Sequence, residues 1–327
     1  MELPAFHYHR PTTVDDAADL LARFGDDVDL VAGGTDLLPN YKNRLNPRGH
    51  VVSLSHVQGL KELSASRIGA GVRLVDLERS DLVRRALPVV AETAQAISSP
   101  PLREHGTVGG NVMLDTRCYF FNQAPMWRES RNFCLKAEGQ TCLVVPNSDD
   151  HCYATYSGEL AAAFLVLDGS AELLSAQGPR SVPLTAFFEN EGIRRFADRR
   201  PGELLTAISL PDDAPEWTAG YQKLRIRDSI DFPSLGVAVA FRLDGDRVAG
   251  LRIATTALAS CPERLDAVCA PFLGRVADAA LAAELGEAAM KASVAYRNVP
   301  LDPKYRRKMV AVFVRRLLAR LDGRFAL

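Results

Sequence analysis

The stretch SLGVAVAFRLDGDRVAGLRIATTAL, residues 234–258, constrains the fold more than any other part of the 327-residue chain. Apolar and polar residues alternate on both sides of Asp244-Gly245, a dipeptide that tolerates the positive φ angles of a two-residue hairpin. The pattern predicts two long antiparallel strands. ELLTAISL and TAGYQKLRIR alternate in the same way, so an antiparallel sheet is expected from about residue 180 onward. Near the end, KYRRKMVAVFVRRLLARL has helical periodicity with a basic outer face and predicts a helix packed on one side of that sheet.

The N-terminal half mixes helix, strand and loop. Thr13 with Asp16 forms a capping pattern before the helix VDDAADLLARF, which Gly25 ends, and VDLVA follows as a short buried strand. HVVSL and RIGAGV read as strands, LVRRALPVVAETAQAI as helix interrupted near Pro88, SSPPLREHGTVGGN as loop, GELAAAFLVL as a buried helix and AELLSA as a strand. The expected fold class is α+β, with a first domain over 1–178 and a second over 179–327.

Charge narrows the function. Thirty-nine basic and forty acidic residues give a net charge of -1, with no run of five like charges, so neither nucleic acid nor a membrane surface is an expected partner. The longest uncharged apolar run, Leu160 to Leu167, is far shorter than the roughly 20 residues that cross a bilayer. MELPAFHYHRPTT has no basic stretch followed by an apolar one, so a cytoplasmic location with reduced cysteines is expected.

LVAGGTDLLPN, residues 30–40, places paired glycines, a threonine and an aspartate at a strand-to-helix junction, and GTVGGN, residues 106–111, repeats the pattern. Such turns leave backbone N–H groups unshielded and let a phosphate approach. One alone is as often an ordinary turn. Two suggest a pair of loops clamping one dinucleotide. GAGVRL lacks the third glycine of the Rossmann fingerprint, and no P-loop pattern is present.

In this order and separation, LVAGGTDLLP and GTVGGN resemble the two FAD-pyrophosphate loops of the flavin subunits of the xanthine oxidase family of molybdenum hydroxylases. YQKLRIR, followed by a strand rich in glycine, valine and alanine, resembles that family's C-terminal flavoprotein domain. The resemblance implies an FAD domain of two α+β subdomains, roughly 1–50 and 51–178, followed by an antiparallel-sheet-plus-helices domain. It implies that Leu30, Val31, Ala32, Gly33, Gly34, Thr35, Asp36 and Leu37 hold FAD from one side. Thr107, Val108, Gly109, Gly110 and Asn111 hold it from the other, Asn111 through its side-chain amide. Glu159 stands where the family has a cofactor-bonding aspartate, Lys223 matches a lysine at the flavin end, and Leu204 matches an apolar wall position. As bare residues, Lys223 reads as a solvated strand lysine and Leu204 as core.

Four of the six cysteines, Cys118, Cys134, Cys142 and Cys152, fall within 35 residues, where an even spread would put fewer than one. The surrounding insertion, 115–155, has little periodicity and holds Pro125, Gly139 and Pro146, so packing alone is not expected to order it. Four thiolates can bind zinc or an iron–sulfur cluster, and spacings of sixteen, eight and ten match no common pattern of either. Tyr119, Phe120, Phe121 and Trp127 are expected to form an apolar shell. Cys261 and Cys269 receive no role, and His105 and His151 read as solvated loop residues.

Within the family, a four-cysteine insertion directly after the second loop, with DTRCYFFNQ and CYATYSG at its ends, resembles the branch that reduces 4-hydroxybenzoyl-coenzyme A. That resemblance implies a 4Fe-4S cluster on the four cysteines. It also implies a molybdenum-cofactor subunit, a small 2Fe-2S subunit, ferredoxin as electron donor and a dimer of heterotrimers. The alternatives are a flavin subunit passing electrons outward to NAD, a structural zinc module and a free-standing FAD oxidase.

Overall fold

A computed structural model describes residues 2–148, 150–197, 200 and 202–326. The chain opens with β1 (His7–His9), α1 (Val14–Phe24), β2 (Val28–Val31), α2 (Leu37–Lys42) and β3 (His50–Ser53). The three strands form a parallel sheet in the order β1-β3-β2. Helix α1 starts where the Thr13 hydroxyl accepts the Asp16 N–H at 3.1 Å and stops at Gly25, φ 53°. Its buried face, Ala17 and Leu21, packs on Val52, Val57 and Leu60.

A second unit follows: β4 (Arg67–Gly69), α3 (Leu74–Arg79), α4 (Asp81–Ala86), α5 (Pro88–Ala96), α6 (Pro100–Arg103) and α7 (Val108–Val112). After the cysteine segment, whose one helix among the described residues is α8 (Pro125–Glu129), come α9 (Leu160–Val166), β5 (Ser170–Ser175), β6 (Gly178–Pro183), α10 (Leu184–Phe187) and β7 (Leu204–Ser209). The break at Pro88 falls as expected, since proline suits the first turn of a helix. SSPPLREHGTVGGN is not all loop. Prolines 100 and 101 start α6, and the Thr107 hydroxyl caps α7 by accepting the Gly110 N–H at 3.1 Å, so the glycines lie inside a helical turn.

The sheet of this unit is antiparallel, in the order β4-β7-β5-β6. A boundary near residue 178 would cut the β5–β6 hairpin, and ELLTAISL, read above with the C-terminal sheet, lies at the centre of this one as β7. Alternation identifies a strand but not the sheet it joins. The change of sheet falls between Ser209 and Thr218.

The C-terminal part comprises β8 (Thr218–Leu224), β9 (Leu235–Asp244), β10 (Arg247–Thr256), β11 (Glu263–Arg264), α11 (Asp266–Cys269), α12 (Ala279–Ala292) and α13 (Pro303–Leu321). The antiparallel order is β11-β10-β9-β8, and the predicted hairpin closes with Asp244 opposite Arg247 and Gly245 at φ 60°. Val237, Val239 and Phe241 pack with Leu285, Val310 and Val314 of α12 and α13. Ala238 and Ala240, on the other face of β9, join a core with Leu160, Phe164 and Val166 of α9. This sheet is therefore covered on both faces, and its second face is shared with the N-terminal half.

Candidate functional site

The first glycine loop runs from the end of β2 to the start of α2. Leu30 and Val31 anchor it: Leu30 packs beside the α1 core, and Val31 is buried with Tyr41 and Val51, with Leu37 against them. Gly34 has φ +70°, where a β-carbon is strained. At Gly33 a β-carbon would overlap the His105 carbonyl, so the two glycine segments meet backbone to backbone. Gly33 and Thr35 are exposed, and the amides of Gly33, Gly34, Thr35 and Asp36 donate to no protein acceptor among the described residues. This is a bare cradle of donors that fits a phosphate.

The second segment differs from expectation. The Val108 amide donates to Val72 O at 2.9 Å, Gly109 to Ala70 O at 2.8 Å, Gly110 to the Thr107 hydroxyl, and Asn111 to Thr107 O at 3.0 Å. Pairing with Ala70 and Val72 and the cap at Thr107 use up these donors, so Val108, Gly109, Gly110 and Asn111 do not offer a second set of free amides. Gly109 is needed for packing, since a β-carbon there would stand 2.9 Å from the Ala70 Cβ. Gly110 is exposed, and a β-carbon would meet only the Thr107 hydroxyl, at 3.2 Å. The Asn111 side chain, expected at the cofactor, is buried: its Oδ1 accepts the Leu160 N–H at 2.9 Å, at the start of α9.

Glu159 and Lys223 find each other. Both side chains are buried, with Lys223 Nζ 2.6 Å from Glu159 Oε1 and 3.0 Å from Ala96 O. The first contact is an ion pair without hydrogen-bond alignment, since Oε1 lacks an aligned donor. Lys223 is thus neither a solvated strand lysine nor free to reach a ligand. Burial raises the Glu159 carboxyl above the usual range, and Lys223 opposes the shift. Leu204, expected as a cofactor wall, is 1% exposed in the α1 core, because β7 enters the sheet beside that helix.

Lys223→Met is expected to destabilise the fold by about 3–5 kcal/mol at pH 8, because it leaves a buried carboxylate unpaired. A carboxyl whose pKa is raised by folding takes up a proton as it folds, so the stability of the variant recovers as pH falls. Urea unfolding of both proteins at pH 8 and pH 5 checks this. A loss equal at both pH values would show that Glu159 is not the charged partner.

The cysteine segment is tied at its base. Arg117 and Thr155 exchange backbone hydrogen bonds, both at 2.7 Å, and the Asn298 backbone carbonyl accepts the Tyr119 N–H at 3.0 Å. Asn298 Oδ1 accepts the Thr155 hydroxyl at 2.8 Å, so the buried asparagine clasps the neck from the C-terminal half. Cys118, Cys134, Cys142 and Cys152 are all buried and unbonded. They line one small cavity with Phe120, Phe121, Leu135, Leu143, Val144 and Ala154. Burial pushes Cys118 up to about 11 and Cys152 up to about 12.

Lys136 is the one charged residue in that lining, its ammonium 2.7 Å from Asp115 Oδ1 and 2.9 Å from Gly192 O. Phe121 seals the cavity, whereas Tyr119 is 47% exposed and Trp127 lies outside the lining. Cys261 and Cys269 stand apart, Cys269 in the C-terminal core. Among the described residues no group of three or more His, Cys, Asp or Glu is placed to hold a metal ion directly. One zinc with Zn–S bonds of about 2.3 Å draws its sulfurs to within about 3.8 Å of each other. A cluster interposes its own iron and sulfide, so its thiolates stand farther apart. Four free thiols around a largely apolar cavity with one cation supply the donor set of a four-thiolate site.

Sequence reasoning missed Arg117, Lys136 and Asn298, whose partners lie far along the chain. Arg117 forms an ion pair with Asp36, joining the first loop to the base of the cysteine segment.

A bare glycine loop set against a second glycine segment, on an α+β unit that shares a core with an antiparallel-sheet domain, defines a flavin-binding subunit. The chain belongs to the FAD-binding subunits of the xanthine oxidase family of molybdenum hydroxylases. Residues 4–213 match the FAD binding domain in molybdopterin dehydrogenase, and residues 219–321 match the CO dehydrogenase flavoprotein C-terminal domain. The chain is 31% identical over 277 residues to the aldehyde oxidoreductase FAD-binding subunit PaoB of Escherichia coli, covering 81% of this chain and 85% of that one. It is 29% identical over 323 residues to the carbon monoxide dehydrogenase medium chain of Hydrogenophaga pseudoflava, covering 96% of each. A solved structure of carbon monoxide dehydrogenase from Hydrogenophaga pseudoflava superimposes with a TM-score of 0.79 at 26% identity, over 99% of both chains. The protein is an FAD-binding subunit of an oxidoreductase, and no helix among the described residues is long and apolar enough to cross a membrane.

Proposed function

We propose that this chain is the flavin and iron–sulfur subunit of a 4-hydroxybenzoyl-coenzyme A reductase, with a 4Fe-4S cluster on Cys118, Cys134, Cys142 and Cys152. The observation that carries the reading is the convergence of those four thiols on one buried apolar cavity whose neck is ion-paired to the first flavin loop. In this reading the first loop binds the FAD pyrophosphate through the amides of Gly33 to Asp36, and Gly110 keeps the opposite side clear. Bound FAD exchanges electrons singly or in pairs and so couples unlike carriers, while the protein supplies binding and spacing. The partners are a molybdenum-cofactor subunit, which holds the substrate, and a small 2Fe-2S subunit, in a dimer of heterotrimers. Electrons run from a low-potential donor such as ferredoxin through this chain to the 2Fe-2S clusters and molybdenum.

The test is the direction of flow in the natively purified complex. A molybdopterin protein is expected to co-purify, and reduced ferredoxin is expected to bleach the flavin absorbance while NADH leaves it unchanged. Rapid bleaching by NADH would replace this reading with a flavin subunit that communicates with NAD.

A further inference from the structure

We propose that Arg117 is a positioning residue that couples the cysteine segment to the first flavin loop, so that a loaded cluster tightens FAD binding and bound FAD steadies the cluster. The inference rests on the function proposed above. Arg117 directly precedes Cys118, and both of its backbone polar groups are paired with Thr155, so whatever orders the base of the segment orders this residue. Its guanidinium pairs with Asp36, where the first loop meets α2, and the other Asp36 oxygen accepts Asn40 Nδ2 at 3.1 Å. The same group lies 3.9 Å from the ring centroid of Phe232, between β8 and β9.

The Arg117 side chain is only 20% exposed, and its Nε has no hydrogen-bond partner among the described residues. A largely desolvated cation is held by few contacts, and separating it from its carboxylate leaves two poorly solvated charges. Arg117 and Asp36 therefore move together. Asn298 pins the far side of the same neck through Tyr119 and Thr155, so displacement of Cys118 is passed toward the loop rather than absorbed behind it. Asp36 in turn closes the run of free amides that begins at Gly33. Coupling between two binding events must be reciprocal.

The experiment measures the FAD dissociation constant of anaerobically prepared full-length protein, cluster-loaded and after iron removal by a chelator, in wild type, Arg117→Met and Asp36→Asn. Iron and flavin contents of the wild type are measured first. Iron removal is expected to weaken FAD about tenfold in the wild type, within the 5–150-fold that such couplings span, and less than about twofold in either variant. The loaded-to-depleted ratio within each protein is the readout, so a general loss of affinity does not mimic the effect. If Arg117→Met fails to fold, Asp36→Asn breaks the same pair from the other side. Absence of iron or flavin from the wild type defeats the underlying function. Both present, with an FAD affinity indifferent to iron, or as iron-sensitive in the variants as in the wild type, overturns the role of Arg117.

Discussion

Gly110→Val is expected to abolish FAD binding while leaving the protein folded. Gly110 is exposed, has no positive φ, and an added β-carbon would meet only the Thr107 hydroxyl. Valine is a better helix former than glycine, so stability should change by less than about 1 kcal/mol. The branched side chain would instead occupy the clear side of the cradle, where the pyrophosphate approaches. Gly33→Val is expected to lose FAD for another reason: it forces the His105 carbonyl away, and overpacking against backbone costs at least the usual 1–3 kcal/mol or so. Flavin content after gel filtration, beside thermal melting, separates the two variants. Full flavin in Gly110→Val would show that FAD does not pass over this glycine.

The second large effect concerns iron. Anaerobically purified protein is expected to hold about four irons and four sulfides per chain and to give an electron paramagnetic resonance signal on reduction. Serine at Cys118, Cys134, Cys142 or Cys152 should lose or degrade that signal, because each thiol lines the one cavity and no fifth cysteine is beside it. Serine at Cys269 should leave the iron intact, although it buries a hydroxyl in the C-terminal core. Serine at Cys261, outside the cavity lining, should leave it intact as well. Stoichiometric zinc without iron would remove the cluster and the low-potential route together, leaving a flavin subunit with a structural metal.

What the sequence made legible was local. Thr13 and Gly25 bound α1 because cap chemistry acts within one turn, and Asp244-Gly245 marked the hairpin because two residues suffice to make it. The four-cysteine cluster was visible from density along the chain. Long-range pairing was not. The sheet that takes β7, the burial of Leu204 against α1, and the Glu159–Lys223 pair depend on residues brought together from distant parts of the chain. Thr107 illustrates a narrower failure: GTVGGN suggested coil, whereas its hydroxyl caps a helical turn there and the distant carbonyls of Ala70 and Val72 take the amides of Gly109 and Val108.

The alternation of valine and alanine along β9 has a mechanical meaning. Val237, Val239 and Phe241 hold the C-terminal helices, while Ala238 and Ala240 on the reverse face let α9 pack closely against the strand. Residue Glu159 at the foot of α9 is locked to Lys223 on β8, and Asn298 reaches back to the neck of the cysteine segment. Two regions that match separate family models thus share one core and are tied by buried polar contacts. Parting the two regions would expose the alanine face of β9 and strand the Glu159–Lys223 pair in one event.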